Sequence, residues 1–182
     1  MKRMTILSKI LCLVLLVTTI IFSMPINASE PNIYEVETIA NQDNYEKYLS
    51  DSEKAIELFG DFNQTYVFCS TDLNDRFDFN FDANVLGVTL GKKIYIDTNF
   101  YNKNVVLHET LHAYDFYRGR ISESKEFLEI YKKNSDKVSV TEGNNENTYE
   151  FFASCGEMYF NSPQELKLNC IDAYIFFNNE FN

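Results

Sequence analysis

The chain has 182 residues, 45% of them hydrophobic and 15% aromatic, with no tryptophan. Its formal net charge is −11. An excess of carboxylates argues against nucleic acid, whose phosphates require Lys and Arg, and equally against adsorption to anionic lipid.

Lys2, Arg3 and Lys9 precede an apolar run from Ile10 to Phe22, followed by Met24-Pro25 and the small-residue stretch INAS. This is the pattern of a secretory signal peptide, residues 1–28, cleaved after Ala28. The run of 13 residues is short of the roughly 20 needed to span a bilayer. Cys12 lies inside the run rather than at its end, which disfavours a lipoprotein. The mature chain would be 29–182, long enough for a single domain with its own core. Removing three positive charges leaves 13 basic and 27 acidic residues, a net of −14. A secreted, extracellular monomer with no membrane contact after cleavage is the expectation. Cys69, Cys155 and Cys170 remain; three is odd, no C-x-x-C pair exists, and buried free thiols are the default.

Residues 43–59 carry Tyr45, Tyr48, Leu49, Ala55, Ile56 and Phe59 in a helical pattern closed by Gly60. Residues 65–70, TYVFCS, read as a buried strand. The acidic stretch 72–84 imitates a calcium loop at Asp78, Asn80 and Asp82. Ala83 stands where the glycine belongs and Thr89 where the glutamate belongs, so a solvated loop or strand edge is expected instead. Leu86–Leu90 and Lys93–Asp97 form a hairpin around Gly91-Lys92. A helix spans Asn104 to Arg118 and stops at Gly119. A second helix begins at Ser122, and a polar loop covers 135–145. A third runs from about Glu146 to Phe160. Ser162-Pro163-Gln164-Glu165 reads as a capping box opening a last helix through Ile171, Tyr174, Phe176 and Phe177. The order predicts an α+β fold, a small N-terminal sheet and a helical C-terminal half.

The two histidines of the chain, His108 and His112, both fall in LHETLHAYD. Four residues along a helix put both imidazoles on one face, one turn apart, where they can reach one Zn²⁺. Glu109, rotated about 100° from His108, stands beside such a metal without ligating it. A bound Zn²⁺ acidifies its water, and Glu109 is placed to take the proton. This is the H-E-x-x-H arrangement of zinc peptidases. Alone the motif is short enough to arise by chance. Its use of every histidine and its apolar helix strengthen it.

A catalytic zinc takes three protein ligands and leaves one position open. With no third histidine, the third ligand is a carboxylate or a cysteine. Glu146, Glu150 and Glu157, spaced by four and seven, share one helix face, and the spacing leaves the choice among them open. Asp115 returns to the face of His108 two turns on. It could support the site from behind, or serve only in surface or helix packing.

LHETLHAYD, with YEFFAS following 38 residues after His112 and the aromatic CIDAYIFF near the end, resembles one family. It is similar to the secreted zinc metallopeptidases related to anthrax lethal factor and the Pro-Pro endopeptidases, a zincin-like fold of the H-E-x-x-H…E gluzincin type. The resemblance covers roughly residues 85–178. It implies that His108, His112 and Glu150 hold zinc, that Glu109 is the general base, and that an extended peptide substrate pairs with a strand of the 86–97 hairpin. Two positions depart from it. Ser154 stands where the family has a second carboxylate four residues after the ligand glutamate, which predicts weaker metal binding. Gly143 stands where the family has an oxyanion-stabilising tyrosine, a group worth about 2.7–4 kcal/mol of barrier. The resemblance therefore implies a zinc endopeptidase, with a catalytically degenerate zinc-containing peptide-binding module as the alternative. With no tryptophan in the chain, a Pro-Pro preference is not carried over.

Overall fold

The computed structural model describes residues 33–36, 41–60, 62–79, 84–138 and 147–182. The predicted signal peptide lies outside them, as do Asn80, Asp82 and Ala83 of the calcium-like stretch, Gly143 and Glu146.

The sheet is built from four strands: β1 Ile33–Val36, β2 Thr65–Cys69, β3 Gly87–Leu90 and β4 Lys93–Asp97. Their order is β1-β2-β4-β3, with β3 at an edge. β3 and β4 form the predicted antiparallel hairpin, and Gly91 in its turn takes φ +61°, a conformation that glycine adopts without penalty. β2 pairs parallel with both β1 and β4. A parallel pair needs a crossover, and helix α1, Gln42–Phe59, supplies it between β1 and β2. Asn41 caps α1 by accepting from Asn44 N at 3.2 Å. The strand β1 was not expected from the sequence, and it makes the N-terminal half a β-α-β unit rather than a helix followed by strands.

The acidic stretch after β2 is also different from expectation. Asp72 caps a short helix α2, Leu73–Phe77, accepting from Asn74 N at 2.8 Å. Leu73 is fully buried, so one apolar anchor converts a stretch read as loop into a helical turn.

Helix α3, Val105–Tyr117, crosses behind the sheet and is buried through Val105, Val106, Leu111, Ala113 and Tyr114. Gly119 follows at φ +76°. Ser122 does not begin the next helix. It sits in a 3₁₀ turn, Ile121–Glu123, and α4, Lys125–Asn134, starts one cap later at Ser124, whose side chain accepts from Phe127 N. Helix α5, Thr148–Asn161, is capped by Asn147, which accepts from Tyr149 N and Glu150 N, both at 3.0 Å. The expected last helix is two: α6, Pro163–Asn169, and α7, Ile171–Phe181, broken at Cys170 with φ −148° and ψ 79°. Pro163 opens α6 as predicted, but the Ser162 side chain makes no cap bond. Its carbonyl accepts from Glu165 N and Leu166 N instead, so the capping box is not formed.

The helices close over an aromatic core. Phe127, Phe151, Phe152 and Phe177 are fully buried; Phe127 meets Phe152 and Phe177 edge-on, and tilted contacts join Phe127 to Phe151 and Phe152 to Phe177. Phenylalanine supplies large apolar area with no polar atom to satisfy, and this replaces the missing tryptophan. Cys69, Cys155 and Cys170 are buried thiols. Among the described residues no helix is long and apolar enough to cross a membrane.

Candidate metal centre

Helices α3 and α5 run antiparallel. Asn161, at the end of α5, donates to Asn104 at the start of α3, while Tyr149, at the start of α5, meets Arg120 beyond the end of α3. Gly156 makes this close packing possible. A Cβ there would lie 2.6 Å from Leu111 Cδ2, so only a glycine lets α5 approach.

The approach brings His108, His112 and Glu150 together. Glu150 Oε2 lies 3.2 Å from His108 Nε2, and Glu150 Oε1 lies 3.5 Å from His112 Nε2. The imidazole centroids are 4.9 Å apart. One ligand atom from each of the three residues lies within 4.8 Å of the others. Two imidazole nitrogens and one carboxylate oxygen at this spacing, partly open to a cleft, form a donor set that suits Zn²⁺. The group can bind a metal.

Glu146 lies outside the described residues; of the other two glutamates that spacing left open, Glu150 is the one facing both histidines. Glu157, two turns on, does not join them. Its Oε2 stands 3.5 Å from His108 Nδ1, on the far side of the ring. Burial disfavours a charged His108, yet the carboxylates of Glu150 and Glu157, with the nearby Glu109 charge, outweigh it and push its pKa up to about 10. Burial likewise opposes the charge on Glu150, but hydrogen bonds to His108 and His112 hold its carboxyl well below the usual range.

Glu109 is buried beside this group. Thr89 of β3 donates to its Oε2 at 2.7 Å or to its backbone carbonyl at 2.8 Å. Gly87 lets the strand lie against it: a Cβ there would meet Glu109 Cγ at 2.5 Å and Oε1 at 2.9 Å. Sequence reasoning missed both residues. The available signal was a glycine inside a strand, which marks close approach of another group.

Asp115 is buried and accepts from Ser122 N at 2.7 Å and Ser122 Oγ at 2.6 Å. It ties the 3₁₀ turn to α3, and burial raises its pKa against the pull of those bonds. Its hydrogen bonds are those of helix packing, and it also lines the cleft with His112. Ser154 is fully buried, and its Oγ has no hydrogen-bond partner among the described residues.

A cleft of about 470 Å³ opens onto the site. Gly87, Val88 and Thr89 of the edge strand line it together with His112, Glu150, Tyr149 and Arg120. The Tyr149 hydroxyl bonds to Glu123 and to Arg120 Nη1. An edge strand leaves backbone N–H and C=O groups unpaired on its outer side, and β3 is such a strand among the described residues.

No family model matches the chain, and no curated protein matches it by sequence. Its fold is similar to the solved structure of the Pro-Pro endopeptidase PPEP-2 from Paenibacillus alvei, with a TM-score of 0.65 over 85% of this chain and 100% of that one, at 16% identity. The chain thus shares an α+β fold with a small sheet and mostly helical content with that endopeptidase.

Proposed function

We propose that the protein is a secreted zinc-dependent endopeptidase acting on an extended peptide. The observation that carries the reading is the convergence of His108, His112 and Glu150 beside a buried Glu109, in a cleft that an edge strand also lines. Its likeness in fold to a Pro-Pro endopeptidase supports the same reading.

In this reading His108, His112 and Glu150 hold Zn²⁺, which when bound polarises a peptide carbonyl and lowers the pKa of water. Glu109 is the general base. Thr89 fixes the orientation of its carboxylate, leaving the second oxygen to receive a proton. The outer edge of β3 pairs with the substrate backbone and sets the scissile bond alongside Glu109. Secretion follows from the signal-like residues 1–28 and suits a chain of this net charge.

The test is a peptide-library cleavage screen with zinc analysis, comparing the wild type with Glu109→Gln. The expected result is one zinc per chain in both, cleavage by the wild type, and a loss of about 10²–10⁴-fold in the variant. Equal cleavage by both proteins would sink the proposal.

A second reading is a zinc-containing module that binds a peptide without cleaving it. It is favoured by Gly143 and by the Tyr149 hydroxyl being engaged with Glu123 and Arg120 rather than free to meet an oxyanion. Peptide capture with zinc bound and no turnover across the library would select it.

A further inference from the structure

We infer that Glu157 is a positioning residue for the metal centre: its carboxylate accepts the Nδ1–H of His108 and so points His108 Nε2 at the metal. The inference rests on the zinc reading of the site and deepens it.

The geometry separates the two edges of the His108 ring. Nε2 faces Glu150, within the cluster of ligand atoms. Nδ1 faces Glu157 Oε2 at 3.5 Å. A neutral imidazole carries its proton on one nitrogen only, and the nitrogen that ligates a metal must be the bare one. With a metal held between Nε2 and Glu150, a carboxylate against Nδ1 would keep the remaining ring proton on Nδ1 and leave the Nε2 lone pair to the metal. It also adds electron density to the ring and fixes its rotation.

Burial makes the contact meaningful. Glu157 is 8% exposed and lies on the α5 face packed against α3. A carboxylate there requires a partner, because burying an unpaired charge is costly. Spacing explains how the partner is reached. Glu150 and Glu157 are seven apart, two helical turns, so both side chains leave α5 on the face that meets α3. Because the helices are antiparallel, the later glutamate falls toward the earlier histidine.

The neighbouring position bears on the same point. Ser154, one turn after Glu150, carries a hydroxyl rather than a carboxylate, and its buried Oγ has no hydrogen-bond partner among the described residues. In this chain the acidic group lies three residues further along α5 and meets the ring from its other edge.

The experiment measures zinc affinity by chelator competition in the wild type, Glu157→Ala and Glu157→Gln, with the thermal midpoint of each metal-free protein as the control for folding. The Co²⁺-loaded spectrum of each reports ligand geometry. The expected result is a loss of about 10- to 100-fold in zinc affinity for Glu157→Ala, with an altered Co²⁺ band. The isosteric Glu157→Gln, whose amide oxygen still accepts a hydrogen bond, falls between. Should the alanine variant not fold, the glutamine variant decides by the same measure. Wild-type zinc affinity in the folded variants overturns the assignment and leaves the proposed function standing. A wild-type protein that binds no zinc overturns both.

Discussion

At the scale of single residues, the position of Glu109, the proposed general base, depends on a glycine. Gly87 lies where any Cβ would strike Glu109 Cγ at 2.5 Å and Val105 Cγ2 at 2.8 Å. Both contacts are to side chains packed between β3 and α3, so Glu109 must move if Gly87 is filled. Gly87→Ala should displace the carboxylate from Thr89 and cost about 1–3 kcal/mol of stability through overpacking. Misplacing a reacting group by an ångström costs on the order of 10²-fold in rate, so kcat on a cleaved peptide should fall by that amount. Zinc affinity should hold, because Glu109 is not among the ligand atoms. A variant with wild-type kcat would show that Glu109 does not need the position it occupies. His108, His112 and Glu109 were legible as a motif because four-residue spacing on a helix is a geometric statement. Thr89 and Gly87 were not, because their role arises only when a distant strand is laid against that helix.

At the scale of elements, what could be read depended on whether the controlling contact was local. The hairpin, α1, α3 and α5 carry their own periodicity and stop signals, and all form close to where those signals place them. Strand β1 is four residues, too short to show alternation, and it is recognised only by its register with β2. Helix α2 has a local cap at Asp72 but owes its existence to the burial of Leu73. The break at Cys170 has no proline or glycine to announce it. The site itself is a property of one seam, between α3 and α5. Gly156 sets its width, with Leu111 Cδ1 and Cδ2 within 2.8 Å and Phe177 Cε1 at 3.2 Å of any added Cβ. Alanine would gain up to about 1 kcal/mol of helix propensity. Leu111 and Phe177 are fully buried, so displacing them should carry an overpacking cost of about 1–3 kcal/mol that exceeds that gain. Gly156→Ala is therefore expected to lower the urea midpoint at unchanged slope. It should also weaken zinc binding by moving Glu150 away from the histidines. A more stable variant would mean the seam has slack.

At the scale of the molecule, the metal-binding group joins parts of the chain far apart in sequence. His108 and His112 belong to α3, which packs on the sheet, and Glu150 belongs to α5, which packs on the aromatic core with α4 and α7. A metal held by all three cross-links these two halves in the folded state and has no comparable site in the unfolded chain. Ligand linkage then fixes the size of the effect: a metal present at 100 times its dissociation constant stabilises the fold by about 2.7 kcal/mol. For a chain of this length each kcal/mol is worth roughly 2–4 °C. Adding zinc to metal-free protein should therefore raise the thermal midpoint by roughly 5–10 °C, and a chelator should reverse it. Glu150→Ala removes the only ligand contributed by α5, leaving two histidines on one helix that hold a metal without bridging anything. In that variant the zinc-dependent shift should shrink to a small fraction of the wild-type value. The Glu157 variants should retain a reduced shift, since their three ligand atoms remain. A full shift in Glu150→Ala, measured by scanning calorimetry at matched zinc activity, would mean that the metal bridges the halves through some other residue.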